Sequence, residues 1–262
     1  KYFTFGYTIG TFMDINAIPT TIDYGGPCGM TFYRATQLQF RYGFDFGLSM
    51  GIAVEAPNVN ATGGEYIDVG AQRCPNIPLF VQYNLHNNPN NHIRLGAVMR
   101  DISYTDKVKG IDTDKVGWGV QASMLATIGK LQLKGQLTVG EGIGSLVNNI
   151  SNIGVDVVPN PDSPGKAMML SSESWYAGVQ YNFNPKWFAS AAYSQTALHS
   201  RNGYAEAHPD GFRKGQYAVA NVFYNVSDNL QVGIEYLHGW RVDFDKRTFN
   251  ANRVNLSARY DF

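Results

Sequence analysis

The charged side chains that alternate with apolar residues are the first candidates for chemistry in this 262-residue chain. If each alternating segment is a β-strand, successive side chains point to opposite faces, and these charges share one face. The basic members are Arg41, Arg94, Arg100, Lys134, Arg253 and Arg259, and the acidic members are Glu55, Glu235 and Asp261. Because guanidinium groups bind carboxylates through paired hydrogen bonds, the excess of basic residues predicts that this face prefers small anions. For any one residue the alternative is an ion pair with a neighbouring strand.

A polar segment at 13–30 is the second candidate. It holds Asp14 and Asp23, and Gly25-Gly26-Pro27 predicts a tight turn. We expect this segment to fold inward and form a constriction. The alternative is a loop that packs on the rim or on a neighbouring subunit.

Sequence patterns that would indicate an enzyme are weak. His199 and His208 lie in one loop with Asp210 nearby, but the chain has no HExxH, P-loop or GxSxG motif. We therefore predict that the protein is not an enzyme and uses no metal or other cofactor. The formal net charge of zero gives no indication of nucleic-acid binding.

The elements that must position these residues are about twelve predicted strands. In the clearest one, Phe46, Leu48, Met50, Ile52 and Val54 alternate with small or polar residues. Several such runs reach about ten residues, the length of a tilted membrane-spanning strand. The predicted strands lie near 1–12, 31–42, 46–56, 78–86, 92–104, 115–128, 131–140, 173–183, 187–196, 216–226, 230–240 and 251–262.

The predicted connections alternate between short turns and long polar loops. The turns lie near 43–45, 87–91, 129–130, 184–186 and 227–229. The long loops lie near 13–30, 57–77, 105–114, 142–172, 196–215 and 241–250. This alternation is typical of an outer-membrane barrel, with its turns in the periplasm and its loops outside. No stretch reaches the roughly 18 apolar residues that a membrane helix needs. The fold class predicted is therefore all-β, a transmembrane antiparallel up-and-down β-barrel.

The end of the chain gives an independent signal. Leu256, Ala258 and Tyr260 alternate up to the terminal aromatic Phe262. This pattern looks like the assembly signal that outer-membrane barrels present to the barrel-assembly machinery. The alternative is an ordinary last strand that ends in Phe.

Scattered segments resemble the DcaP-like trimeric porins. The most specific is Gly10 to Asp14 with Pro19 and Ile22 to Pro27; weaker ones are Arg94 to Tyr104, Gly117 to Gly119 and Gly140 to Gly144. The resemblance implies a homotrimer, a barrel of about sixteen strands and a preference for small dicarboxylates. It also implies that roughly four strands precede Lys1, so that the chain does not close a barrel alone.

Residues 1–262 are thus expected to form a single, N-terminally incomplete barrel domain in the outer membrane of a Gram-negative bacterium. The function expected is passive diffusion of small hydrophilic solutes, with outer-membrane lipid as the surrounding partner. The alternatives are a structural or accessory barrel with a plugged lumen and a barrel enzyme. Cys28 and Cys74 lie in predicted extracellular loops, so we expect them to form a disulfide. Closing a loop of about 45 residues would add roughly 3–4 kcal/mol of stability.

Overall fold

One continuous antiparallel sheet dominates the computed structural model, which describes residues 2–85, 88 and 91–262. Its twelve main strands follow one another in chain order, each paired with its sequence neighbours. They are β1 (Phe3–Ile9), β2 (Arg34–Gly43), β3 (Leu48–Glu55), β5 (Ile77–Asn84), β6 (His92–Asp106), β7 (Ile111–Ile128), β8 (Leu131–Glu141), β11 (Ser171–Asn184), β12 (Trp187–His199), β13 (Phe212–Asn225), β14 (Leu230–Asp243) and β15 (Thr248–Tyr260). The prediction of about twelve antiparallel strands is confirmed.

Several short strands and a helical turn accompany this sheet. The two-residue strand β4 (Ile67–Asp68) pairs with β6, and β9 (Val158–Pro159) pairs with β10 (Ala167–Met168) in a separate small sheet. One helical turn, α1, covers Tyr204–Ala207. No helix in the part of the chain described here has the length and apolar character needed to cross a membrane.

The two edges of the sheet are β1 and β15. Each pairs with a single neighbour, β1 with β2 and β15 with β14, and the described residues contain no pairing between them. Within those residues the sheet is therefore open, as expected.

The two faces of the sheet have opposite chemistry, as the alternation predicted. The outward face exposes large apolar side chains along the whole run of strands, among them Leu38, Phe40, Ile52, Val54, Leu79, Val81, Leu95, Val120, Val179, Ile234 and Leu256. The inward face carries small, polar and charged side chains that are mostly buried. The outward face also exposes aromatic rings, including Trp118, Trp187, Tyr236 and Tyr260, of which Trp187 and Tyr260 lie at strand ends. An apolar outer band between aromatic girdles is the surface that a membrane barrel presents to lipid.

Two of the predicted long loops are wrong in length. β6 continues to Asp106 and β7 starts at Ile111, while β14 continues to Asp243 and β15 starts at Thr248. The segments near 105–114 and 241–250 are therefore mostly strand, closed by tight turns. Cross-strand pairing continues through polar residues above the apolar band; the Thr105 hydroxyl, for example, donates to Asp112 at 2.7 Å. The predicted turn near 87–91 falls partly on residues 87, 89 and 90, which lie outside the described part of the chain.

Candidate lumen site

The first long loop, residues 10–33, folds into the lumen and crosses the inward face of the sheet. It starts against β3, where the Thr11 amide donates to Glu55 Oε1 at 2.6 Å. Further along, the Thr20 hydroxyl donates to Gln180 Oε1 on β11 at 2.8 Å. It then reaches β14, where the Ile22 amide donates to Glu235 Oε2 at 2.6 Å. The segment thus contacts the inward face of the sheet, and its role as a constriction stays a prediction.

The turn predicted at Gly25-Gly26-Pro27 also forms. The Gly26 amide donates to the Asp23 carbonyl at 3.2 Å. A Cβ on Gly26 would lie 2.3 Å from the Tyr217 hydroxyl oxygen, so only glycine allows this approach to the wall. Gly26 therefore lets the loop backbone lie close to Tyr217 on β13.

Asp14 anchors the loop to the opposite part of the wall. Its Oδ2 lies 2.8 Å from His92 Nε2 and accepts the Ser123 hydroxyl at 2.6 Å. Burial raises the pKa of Asp14, but the hydrogen bonds from His92 and Ser123 lower it more, so the net pKa is below its usual value. The carboxylate is therefore held in its charged, hydrogen-bonded form at neutral pH.

Asp23 anchors the other end of the loop. Its amide donates to Glu235 Oε1 at 2.8 Å, and its side chain accepts the Tyr217 hydroxyl at 3.1 Å. Arg253 on β15 forms an ion pair with the Asp23 carboxylate. Glu235 accepts two further hydrogen bonds, both 3.0 Å long, from Asn221 and Asn255. Both carboxylates are thus engaged in holding the loop.

Arg100 holds a second internal assembly, made of residues 57–76 and 142–170. Its guanidinium donates to the Asn58 and Gly142 carbonyls and to Asn76 Oδ1, the last at 3.2 Å. It also lies 3.3 Å from Asp156 Oδ1, and both side chains are fully buried. Asp156 in turn accepts the Asn60 amide at 2.9 Å. One buried ion pair therefore ties two loops to β6.

This second assembly has its own apolar core inside the barrel wall. Ile143, Leu146, Val147, Ile150, Val155, Val158, Met168 and Leu170 pack with Phe12 and Tyr33 of the first loop. An adjoining cluster joins Ile67, Val157, Ala167 and Met169 to Ile102 and Tyr104 on β6. The apolar residues of the predicted loop at 142–172 are thus packed against the inward face of the sheet.

The remaining inward cations on β2, β6 and β8 differ in exposure. Arg41 and Arg94 both lie over the Phe80 ring, with guanidinium carbons 5.5 and 3.7 Å from its centroid. Arg94 also donates to the Thr11 carbonyl at 2.5 Å and is buried, whereas Arg41 is exposed. Lys134 is half-buried, with its Nζ 3.5 Å from the Thr20 hydroxyl.

The structure corrects part of the set of charged residues predicted to face the lumen. Glu55, Glu235, Arg94 and Arg100 point inward as expected, but they are 0%, 1%, 7% and 1% exposed. They anchor loops and do not contact free solvent, because residues 10–33, 57–76 and 142–170 cover them. Arg41, Lys134, Arg253 and Arg259 keep exposed surface. Arg259 donates to Asp261 at 2.9 Å at the end of β15.

The predicted disulfide between Cys28 and Cys74 is wrong, since both are free cysteines in this structure. Cys28 is buried against β12 and β13, with its Sγ 3.3 Å from the Ser194 hydroxyl. The Asp101 carboxylate on β6 raises the pKa of the Cys74 thiol. Because successive strands alternate in direction, both loops were predicted at the same end of the barrel. The first loop, however, carries Cys28 across the lumen to a different part of the wall.

Sequence reasoning missed His92 and Asp156, each a partner of a charged residue inside the barrel. The signal for Asp156 was a single acidic residue within the apolar run Val155 to Val158. The signal for His92 was its place on the polar face of a strand, two residues before Arg94. Neither signal could identify the partner, because one member of each pair lies on a strand and the other on a loop far away in the chain.

An open antiparallel sheet with a lipid-type outer band and a loop folded into a polar lumen defines the class, an outer-membrane porin-type β-barrel. The sequence matches no known family model and no curated protein. The fold matches the outer membrane channel DcaP of Acinetobacter baumannii with a TM-score of 0.85 and 19% identity, covering 100% of this chain and 72% of that one. OmpT of Vibrio cholerae matches with a TM-score of 0.61 and 15% identity, covering 98% of this chain and 76% of that one. An anion-selective porin from Comamonas acidovorans matches with a TM-score of 0.54 and 13% identity, covering 87% of this chain and 60% of that one. The DcaP-like resemblance seen in the sequence is confirmed at the level of the fold.

Proposed function

We propose that this protein is a non-enzymatic diffusion channel that favours small organic anions, including dicarboxylates. The observation that carries the proposal is the first loop, which crosses a polar lumen and is fixed to the wall at both ends by Asp14 and Asp23. In the proposed channel, the fixed loop sets the size limit for the solutes that diffuse past it.

The anion preference rests on which charges remain accessible. Both inward glutamates are buried and hydrogen-bonded, whereas Arg41, Lys134 and Arg253 keep exposed surface in the lumen. A low-dielectric wall focuses even a small excess of charge along the channel axis. The exposed guanidinium groups also provide the forked donors that bind carboxylates.

We further propose a homotrimeric assembly, inserted by the barrel-assembly machinery and closed by additional strands. One of the matching structures, an OmpT of Vibrio cholerae, is a trimer form. The unpaired edges of β1 and β15 support closure by further strands, because unsatisfied backbone groups are costly in hydrocarbon. The single barrel domain over residues 1–262 is then part of a larger one.

A second candidate is an accessory barrel with a plugged lumen. The observation that favours it is the apolar core that residues 57–76 and 142–170 form against the inward face of the described sheet. A barrel enzyme has less support. Asp14, His92 and Ser123 share hydrogen bonds, but all three are buried at 4% exposure or less, so a substrate cannot reach them.

The test is electrical recording of the full-length protein in planar bilayers. Open steps in KCl support a channel, and silence supports the plugged barrel. Across a KCl gradient at low salt, we expect an anion-selective reversal potential that shifts towards zero in Arg41→Ala and Arg253→Ala. Lys109→Ala, in an exposed turn outside the lumen, is the matched control and should not shift it. A cation-selective potential that neither lumen variant alters would contradict the proposed preference.

A further inference from the structure

A groove lies on the outward, lipid-facing surface of strands β11 to β14, with a volume of about 540 Å³. Its floor is formed mostly by small side chains on the two middle strands, and larger side chains on β11 and β14 flank it. The floor residues are Ala189, Ala191, Ala220 and Val222, and the flanking residues are Val179, Tyr181, Ile234 and Tyr236. In one row across the sheet, Ala191 and Ala220 pair with each other between Val179 and Tyr236. The groove is therefore a gap in the apolar surface between two rows of bulky side chains.

A cluster of polar and aromatic groups on β14 and β15 adjoins the groove. The Tyr236 hydroxyl, at the side of the groove, donates to Asn252 Oδ1 at 2.6 Å. The Nδ1 atom of His238 lies 2.5 Å from the same oxygen, and the His238 and Trp240 ring centroids are 4.0 Å apart. Because Asn252 accepts through its oxygen, its amide nitrogen is left to donate. Neither that nitrogen nor the Trp240 indole nitrogen has an acceptor among the described residues.

The cluster lies at the outer edge of the apolar band, and the groove lies deeper. Leu230 and Trp240 are the first and eleventh residues of β14, with Leu230 next to a short turn. Ten residues of strand span about 34 Å, which at the usual tilt is about 25 Å across the membrane, the height of the apolar band. Trp240 therefore lies at the interface on the side of the long loops, the outer leaflet. Tyr236 and Ile234 place the groove below it, within the hydrocarbon layer.

We propose that the groove and the cluster together bind one lipopolysaccharide molecule of the outer leaflet. One acyl chain lies in the groove, and the carbonyl oxygen that links the chain to the sugar headgroup accepts from Asn252 and Trp240. Lipid tails are as apolar as the barrel wall, so the groove alone selects little, and the hydrogen bonds at its outer end supply the preference. The cluster contains no carboxylate, Lys or Arg, which suits the uncharged linkage region of the lipid. The site is on the outside of the wall, so the inference does not depend on the channel function.

The test measures lipopolysaccharide binding to the delipidated full-length protein in detergent by native mass spectrometry. Asn252→Leu removes an amide donor and should weaken binding about three- to thirtyfold, the range expected for one hydrogen bond inside a membrane. Ala220→Phe fills the floor of the groove and should also lower the bound fraction. Two matched controls should bind like the wild type. Ala122→Phe adds the same ring to the exposed outward face of β7, and Thr36→Val removes an exposed outward hydroxyl on β2.

Each outcome bears on the proposal. Gel mobility that shifts on heating, as in the wild type, identifies the variants that have folded, and either folded site variant suffices for the comparison. Lipopolysaccharide binding that is equal in the wild type and the site variants overturns the proposal. Phosphatidylethanolamine that binds the wild type as tightly, and is lost in the same variants, also overturns it. Site variants that dissociate an oligomer in lipid-free detergent while still binding lipopolysaccharide would show an interface between copies of the chain instead. A protein that binds lipopolysaccharide but gives no KCl steps supports this site and contradicts only the channel function.

Discussion

Removing Arg100 should release the two loops that its guanidinium holds. The side chain is fully buried on β6, where it donates to the carbonyls of Asn58 and Gly142 and pairs with Asp156. Arg100→Ala leaves those two carbonyls without this donor and removes the cation that balances a buried carboxylate. The Asp156 carboxylate keeps the amides of Asn60 and Ser145, each at 2.9 Å, so some of its anchoring survives.

The size of the effect follows from the burial of the pair. Removing one partner of a buried ion pair costs about 3–5 kcal/mol, because the remaining charge is uncompensated. Since about 1.4 kcal/mol is a factor of ten, the population with loops 57–76 and 142–170 detached should rise by roughly a hundredfold to a few thousandfold. The sheet is held by backbone pairing that Arg100 does not make, so the barrel itself should remain assembled.

Limited proteolysis of the folded protein in detergent measures the detached population, because cleavage of a transiently open state tracks its equilibrium population when closing is fast. Proteinase K should cut Arg100→Ala within residues 57–76 or 142–170, and mass spectrometry of the fragments locates the cuts. Adding Asp156→Asn should recover part of the protection, because it removes the unbalanced charge. Arg259→Ala is the control, since its exposed pair with Asp261 contributes only about 0–1 kcal/mol.

Cleavage of Arg100→Ala at the wild-type rate would contradict the proposed role of Arg100 in holding the two loops. Equal sensitivity of the Arg259→Ala control would contradict it as well, because the effect would then follow any loss of charge. Loss of the whole barrel in Arg100→Ala would show that the ion pair stabilises the sheet and not the loops alone.

Three further outcomes are expected. In the folded protein a maleimide should label Cys74 and spare Cys28, whose burial raises the pKa of its thiol to about 11. Equal labelling of both cysteines would contradict the burial of Cys28, and labelling of neither, with a mobility shift on reduction, would restore the disulfide. The contacts of Asp14 with His92 and Ser123 should hold the loop at pH values above the ordinary carboxyl pKa of about 3.9. They should be lost as the pH falls through the lower pKa that Asp14 has in the folded protein. Protease sensitivity of residues 10–33 should then rise only in acid, and His92→Ala should move the transition to higher pH; sensitivity that is flat with pH would exclude this anchor. Deleting Phe262 should lower the yield of assembled barrel in the outer membrane without changing expression, and unchanged assembly would remove the terminal signal.

The sequence alone determined the sheet. A two-residue period decides which side chains face lipid and which face the lumen, and this period is local, so runs such as Phe46 to Val54 can be read without knowing the fold. The same reasoning predicted the inward direction of Arg94, Arg100 and Glu55. The two-residue period predicted the ends of the strands less well, because polar residues beyond the apolar band can continue the backbone pairing, as they do in β6 and β7.

The tertiary structure alone decided what the inward residues do. Glu55 and Glu235 differ little in sequence pattern from a pore-lining acid, yet both are buried because the first loop crosses over them. Cys28 and Cys74 lie at the same end by parity, but the path of the loop separates them. These outcomes depend on contacts between residues far apart in the chain, such as Asp14 with His92 and Arg100 with Asp156, and no local period encodes where an irregular loop will fold.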